Sequence, residues 1–274
     1  MPLVSIGDII KNMNKNRRKL NRKKLTVEDI RSQFPKEKKN FEKYNLWVRR
    51  IIRPSSYYLT WLFLRLGISA NNISYFSLII GTIGCMLLAF NTYKGMIIGA
   101  LLINFYDLLD SVDGNMARCT NTCSKYGALL DNVVDTTMSV LLFSCAGIGV
   151  FNHSEQWINL SSVFILTNID KSVFLFLGCW SSLGYIFPRL LGCMFQKLFS
   201  ENRFIGREDV LGAPSSFFNV LAVNFYNITG LVLPMLLLAV IFRLLGLFVI
   251  LFALINTSAF IVSVLLLIRK ARRI

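Results

Sequence analysis

Four aspartates, Asp110, Asp113, Asp131 and Asp135, fall within 26 residues at the junction of two strongly apolar segments. The first pair is three residues apart and the second pair four apart, spacings that put both members of a pair on one face of a helix. Two such faces turned toward each other would form an all-oxygen pocket, the donor set that suits hard divalent cations. Carboxylates in apolar segments are costly to keep there and mark candidate functional sites. Around them stand Gly114, Ala117, Arg118 and Gly127. The small residues let backbone and ligand approach closely, and the arginine offers a planar, permanently charged fork to phosphate.

The elements that must position these residues are membrane helices. Of 274 residues, 54% are apolar and the mean hydropathy is positive, which is too apolar for an ordinary soluble domain. Six stretches have the length needed to cross about 30 Å of hydrocarbon: 72–91, 95–113, 125–149, 172–194, 217–239 and 245–268. The fold class expected is therefore an all-α, polytopic membrane bundle of six transmembrane helices over 71–274. A basic N-terminal arm at 1–53 and an interfacial helix with its entry loop at 54–70 precede it. In that last segment Tyr57, Tyr58, Trp61 and Arg65 suit a helix lying at the membrane surface. No cleavable leader is expected ahead of so polar a first 50 residues.

Residues 1–53 hold 16 of the 30 Lys and Arg residues. Further basic residues follow spans two and four and end the chain, while the opposite side has only Lys94, Lys171 and Arg243. The positive-inside bias then places both termini and the aspartates on the cytoplasmic side. The arm's dense run from Lys15 to Lys24 lacks interleaved aromatics for base stacking, so anionic membrane lipids are its expected contact, and no nucleic acid. The six cysteines read mostly as small hydrophobes. Cys119 and Cys123 lack the further ligands a structural zinc needs. His153, the single histidine, lies in an outward loop at 150–171 as an ordinary loop residue, beside sequons at Asn152 and Asn159. Ser69 or Asn71 could cap the first span.

The full pattern is Asp110-x-x-Asp113-Gly114-x-x-Ala117-Arg118, eight residues, then Gly127-x-x-x-Asp131-x-x-x-Asp135. It resembles, position for position, the signature of the CDP-alcohol phosphatidyltransferases. Upstream, Ser69, Ala70, Asn71 and Ser74 stand where that family often has Thr, Pro, Asn and Thr. The resemblance implies Asp110, Asp113 and Asp131 as principal ligands of two Mg2+ or Mn2+ ions. It implies Asp135 as general base on the acceptor hydroxyl and as a contact to the second metal. Gly114, Ala117, Arg118 and Gly127 would line the cytidine and diphosphate site, and a homodimer would be the assembly. Asp107, one helical step before Asp110, is either support for the site or exposed to a polar cavity.

The expected activity is a membrane-embedded transferase of the EC 2.7.8 type in phospholipid biosynthesis. It moves a phosphatidyl or phosphoalcohol group from a CDP-linked donor to a hydroxyl and releases CMP. CDP-diacylglycerol is the donor expected, with a small alcohol such as glycerol 3-phosphate, inositol phosphate or serine as acceptor. The alternative is a CDP-linked head group with a lipid acceptor. A phosphorylated acceptor would need cations, for which Arg207, Arg203, Arg189 and Lys125 are candidates, Arg207 first. A cation-coupled transporter would set its acids near the midplane on broken helices, whereas here they cluster at one face. A scaffold that had lost catalysis would be expected to have lost one of the four carboxylates.

Overall fold

The computed structural model describes residues 25–35, 39, 42, 44–45, 47–90, 92–153, 170–199 and 228–272. Among them there are helices and no strands. The chain is an all-α, polytopic membrane bundle. Among the described residues, five helices are long and apolar enough to cross a membrane: α3 Ala70–Phe90, α4 Tyr93–Cys119, α5 Lys125–Asn152, α6 Ser172–Phe199 and α8 Leu245–Ala271. Ahead of them come α1 Val27–Ser32 and α2 Arg53–Leu66, the latter continuous with a wide π turn at Val48–Ile52. Before α8, a second wide turn at Ile228–Val232 opens the short α7, Leu233–Ile241. The fifth expected span, 217–239, is thus seen only in its second half, and residues 217–227 lie outside the described residues.

Local chemistry sets these ends. At α1, Thr26 and Asp29 satisfy each other's backbone N–H groups in a capping box. Pro54 occupies the first turn of α2, and Gly67 ends that helix with a left-handed φ of 74°. Ser69 Oγ accepts from the Asn72 amide, so of the two candidate caps for α3 it is the serine that serves. Helix α4 runs on past 113, where its hydropathy falls, because helical hydrogen bonds do not depend on apolar side chains. It stops only at Thr120 and Asn121, the latter with a positive φ of 49°. Ser124 Oγ then accepts from the Gly127 amide and starts α5.

Close glycine crossings hold the bundle, two of them glycine against glycine. A Cβ on Gly84 of α3 would lie 2.8 Å from the Gly99 carbonyl oxygen of α4, and one on Gly99 would lie 2.6 Å from that of Gly84. Gly147 of α5 and Gly178 of α6 stand in the same relation, a Cβ on Gly178 meeting the Gly147 Cα at 2.9 Å. Small residues permit such approach between membrane helices, where dispersion contacts replace the hydrophobic effect as the attraction. The main apolar core joins α3 to α8 through Leu88, Ile103, Met138, Phe143, Leu233 and Phe252. A smaller core of Ile30, Leu64, Ile73, Leu109, Val112 and Met116 seats α1 and α2 against the aspartate-bearing end of α3 and α4.

Candidate active site

Helix α4 carries Asp110 and Asp113 on adjacent turns, and α5 carries Asp131 and Asp135. The five-residue connection between the two helices turns them back to back, so the paired faces meet. Asp110, Asp113 and Asp131 offer ligand oxygens that all lie within 4.8 Å of one another. Asp113 is buried and accepts a hydrogen bond from the Ser74 hydroxyl of α3. Asp110 Oδ1 is buried with no hydrogen-bond partner among the described residues, whereas an orphaned carboxylate oxygen is costly unless a cation or donor reaches it. Three converging carboxylates with such an atom fit a hard divalent cation.

Asp135 stands apart from that triad. Its Oδ2 accepts from Arg189 Nη2 of α6 at 3.1 Å, and its Oδ1 lies 3.4 Å from the Tyr106 hydroxyl. Arg189, expected beyond the end of span four, sits inside α6, which continues to Phe199. Lys125 is the exposed first residue of α5. Arg203 and Arg207 lie outside the described residues.

A cavity of about 390 Å3 opens over the triad. Its walls include Asp110, Asp113, Asp131 and Asp135 together with Gly114, Ala117, Arg118 and Gly127. The two glycines have distinct surroundings. A Cβ on Gly114 would touch the Arg118 guanidinium at 3.4 Å, and one on Gly127 would approach Asn71 Oδ1 at 3.6 Å. Arg118 is oriented by a 2.8 Å hydrogen bond to Asn115 Oδ1, and the Asn115 amide in turn donates to Ser56 Oγ at 3.1 Å. Asp107 is 1% exposed with neither carboxylate oxygen hydrogen-bonded, so it does not face a polar cavity in the described structure.

Several cavity residues escape the spacing argument. Asn71 and Ser74 come from α3, Glu42, Asn45 and Val48 come from the segment leading into α2, and Arg53 opens α2. Asn71 and Ser74 both carry a sequence signal, standing where the resembled family often has Asn and Thr, and Asn71 also reads as a candidate cap. Glu42 and Arg53 had none, being two charges among many in a basic arm. Glu42 grips Arg53 through both carboxylate oxygens, one of them 2.7 Å from Nε.

The fold and this site define a polytopic integral-membrane protein with a carboxylate centre and an adjoining cationic wall at one end of its bundle. Residues 68–180 match the profile of the CDP-alcohol phosphatidyltransferase family, and this part of the chain is a domain of that family. Among curated proteins, the chain is similar to cholinephosphotransferase 1 of Rattus norvegicus, 33% identical over 107 residues, covering 35% of this chain and 27% of the relative. The mouse cholinephosphotransferase 1 is 32% identical over the same length and shares. An uncharacterized protein of Aquifex aeolicus is 30% identical over 90 residues, 33% of this chain and 44% of that protein. The chain therefore matches only about a quarter of the length of the two cholinephosphotransferases.

Proposed function

We propose that the protein transfers a phosphoalcohol group from a CDP-linked donor to an acceptor hydroxyl and releases CMP. The observation that carries this is the convergence of Asp110, Asp113 and Asp131 within 4.8 Å beneath a cavity walled by Gly114, Ala117, Arg118 and Gly127. In this reading the three aspartates hold one or two divalent ions, Mg2+ or Mn2+. When bound, these would neutralise the donor diphosphate and stabilise the leaving oxygen. The chain's own residues do the rest. Arg118 takes a phosphate oxygen, and the small side chains admit the nucleotide. Asp135 accepts the proton of the acceptor hydroxyl as that oxygen bonds to the donor's distal phosphorus and the phosphorus–oxygen bond to CMP breaks. Arg189 fixes the orientation of the Asp135 carboxylate, and Ser74 does the same for Asp113.

The donor in this proposal is a CDP-linked polar head group and the acceptor a lipid hydroxyl. Support comes from the relatives, whose name denotes transfer of phosphocholine. A second reading keeps CDP-diacylglycerol as donor with a small, phosphorylated alcohol as acceptor. It is favoured by Arg189, a cation beside Asp135 that would suit an anionic acceptor. Both readings set the site at the cytoplasmic face, supported by the basic residues of the arm and of the α4–α5 and C-terminal ends, and both are compatible with a homodimer.

CMP release decides between them. Purified protein with Mg2+ or Mn2+ is given CDP-choline or CDP-ethanolamine with diacylglycerol, and separately CDP-diacylglycerol with glycerol 3-phosphate, inositol phosphate or serine. Release in the first set only supports the head-group donor, and release in the second only supports the lipid donor. No release in either, with the metals bound, would refute the transferase reading.

A further inference from the structure

We infer that Arg53 and Arg118 together form a phosphate-oxyanion subsite, so that the first turn of α2 supplies a substrate contact to the motif cavity. The inference rests on the transferase reading and adds to it a residue from outside the motif. Both arginines line the cavity. Both guanidinium groups lie over the ring of Phe34, at 4.3 Å and 5.4 Å from its centroid. An aromatic face attracts each cation, yet two like charges gathered at one ring repel each other unless an anion joins them. Glu42 occupies the Nε and Nη2 edge of Arg53. Asn115 occupies one amine of Arg118. Three charges, two positive and one negative, leave this wall cationic.

The second observation is at Arg53 Nη1, which is buried and has no acceptor among the described residues. If Arg53 served only to clip the segment onto α2, its bidentate grip on Glu42 would suffice, and a buried donor left without an acceptor would be a needless cost. A phosphate oxygen in the cavity satisfies that donor and offsets the repulsion, and a guanidinium fork matches phosphate geometry. Position favours the donor's diphosphate over the acceptor. Arg118 lies against Gly114 in the nucleotide half of the motif, while Asp135 has its own cation in Arg189.

The test is equilibrium binding to the full chain in detergent with Mg2+, using CDP and glycerol 3-phosphate as probes. Mn2+ affinity, read by electron paramagnetic resonance, reports whether the aspartate centre is intact. Arg53→Gln should weaken CDP binding by about tenfold or more, the range for a lost charged hydrogen bond, with Mn2+ affinity unchanged. A loss for glycerol 3-phosphate alone would keep the subsite and assign its anion to the acceptor. Should Arg53→Gln fail to fold, Arg53→Lys keeps the charge without the fork, and a loss of several-fold is expected. Unchanged affinity for both probes in the folded variant, with wild type binding CDP, overturns the subsite. Wild type that binds Mn2+ but no CDP removes the transferase reading instead.

Discussion

Replacing Gly99 with alanine should loosen the crossing of α3 and α4 and, through it, the aspartate centre. The added Cβ would stand 2.6 Å from the Gly84 carbonyl oxygen, 2.9 Å from the Leu88 amide nitrogen and 3.1 Å from Leu87 Cβ, where ordinary contact begins at 3.4 Å. Two of these three atoms are backbone and cannot rotate aside, so the helices must part by about 0.8 Å. Overpacking of this kind costs about 1–3 kcal/mol, and rigid neighbours put Gly99 near the top of that range. Alanine's better helix propensity returns about 1 kcal/mol, for a net loss of about 2 kcal/mol. The midpoint of thermal unfolding in detergent should then fall by about 4–8 °C. Asp110 lies about 16 Å along the same helix, while metal sites tolerate ligand displacements of only about 0.2 Å, so Mn2+ affinity should fall as well. Gly192→Ala is the matched control, because a Cβ there meets nothing within 4 Å, and it should be neutral or raise the midpoint slightly. A Gly99→Ala protein that melts at or above wild type with unchanged Mn2+ affinity would refute the reasoning.

The remaining predictions concern the site. Asp131→Asn or Asp135→Asn should abolish CMP release while the thermal midpoint stays within a few degrees of wild type; a turnover comparable to wild type in the Asp135 variant would end its role as base. Ser74→Ala, which removes the hydrogen bond to Asp113, should weaken metal binding by about 10–100-fold, seen as a higher Mn2+ requirement for turnover. Chelation with EDTA should stop CMP release and readdition of Mg2+ or Mn2+ should restore it. His153→Gln should leave turnover unchanged, since His153 closes the far end of α5, about 27 Å from Asp135.

Much of this was legible because it is local. Hydropathy placed four of the long helices within a few residues of their observed ends, since apolar length is the property a bilayer selects. It ended span two at 113 where α4 continues to Cys119, because a hydropathy window cannot see a helix that runs on through polar residues. The motif could be read from spacing because α4 and α5 are neighbours joined by a short turn. The partners that orient it could not, because they arrive from far along the chain. Ser74 lies 39 residues from Asp113, and Arg189 lies 54 residues from Asp135. Arg189 was singled out as a cation for the acceptor, but nothing in its neighbourhood announced that its partner would be Asp135. Glu42 and Arg53 were hidden more thoroughly, in an arm whose charge already had a sufficient explanation in topology.

The short link between α4 and α5 also says where this sequence can drift. Its length is set by structure at both ends: the Thr122 amide closes back on the Ala117 carbonyl at 2.9 Å, and Ser124 caps the next helix through Gly127. Inserting one residue into α5 between that cap and Asp131 would rotate the second aspartate pair by about 100° and slide it by about 1.5 Å, turning Asp131 away from Asp110 and Asp113. The stretch from Arg118 to Asp131 is therefore a ruler rather than a tether. An insertion or deletion there would separate the two aspartate pairs, whereas a substitution away from Ser124 and Gly127 would leave their phase intact.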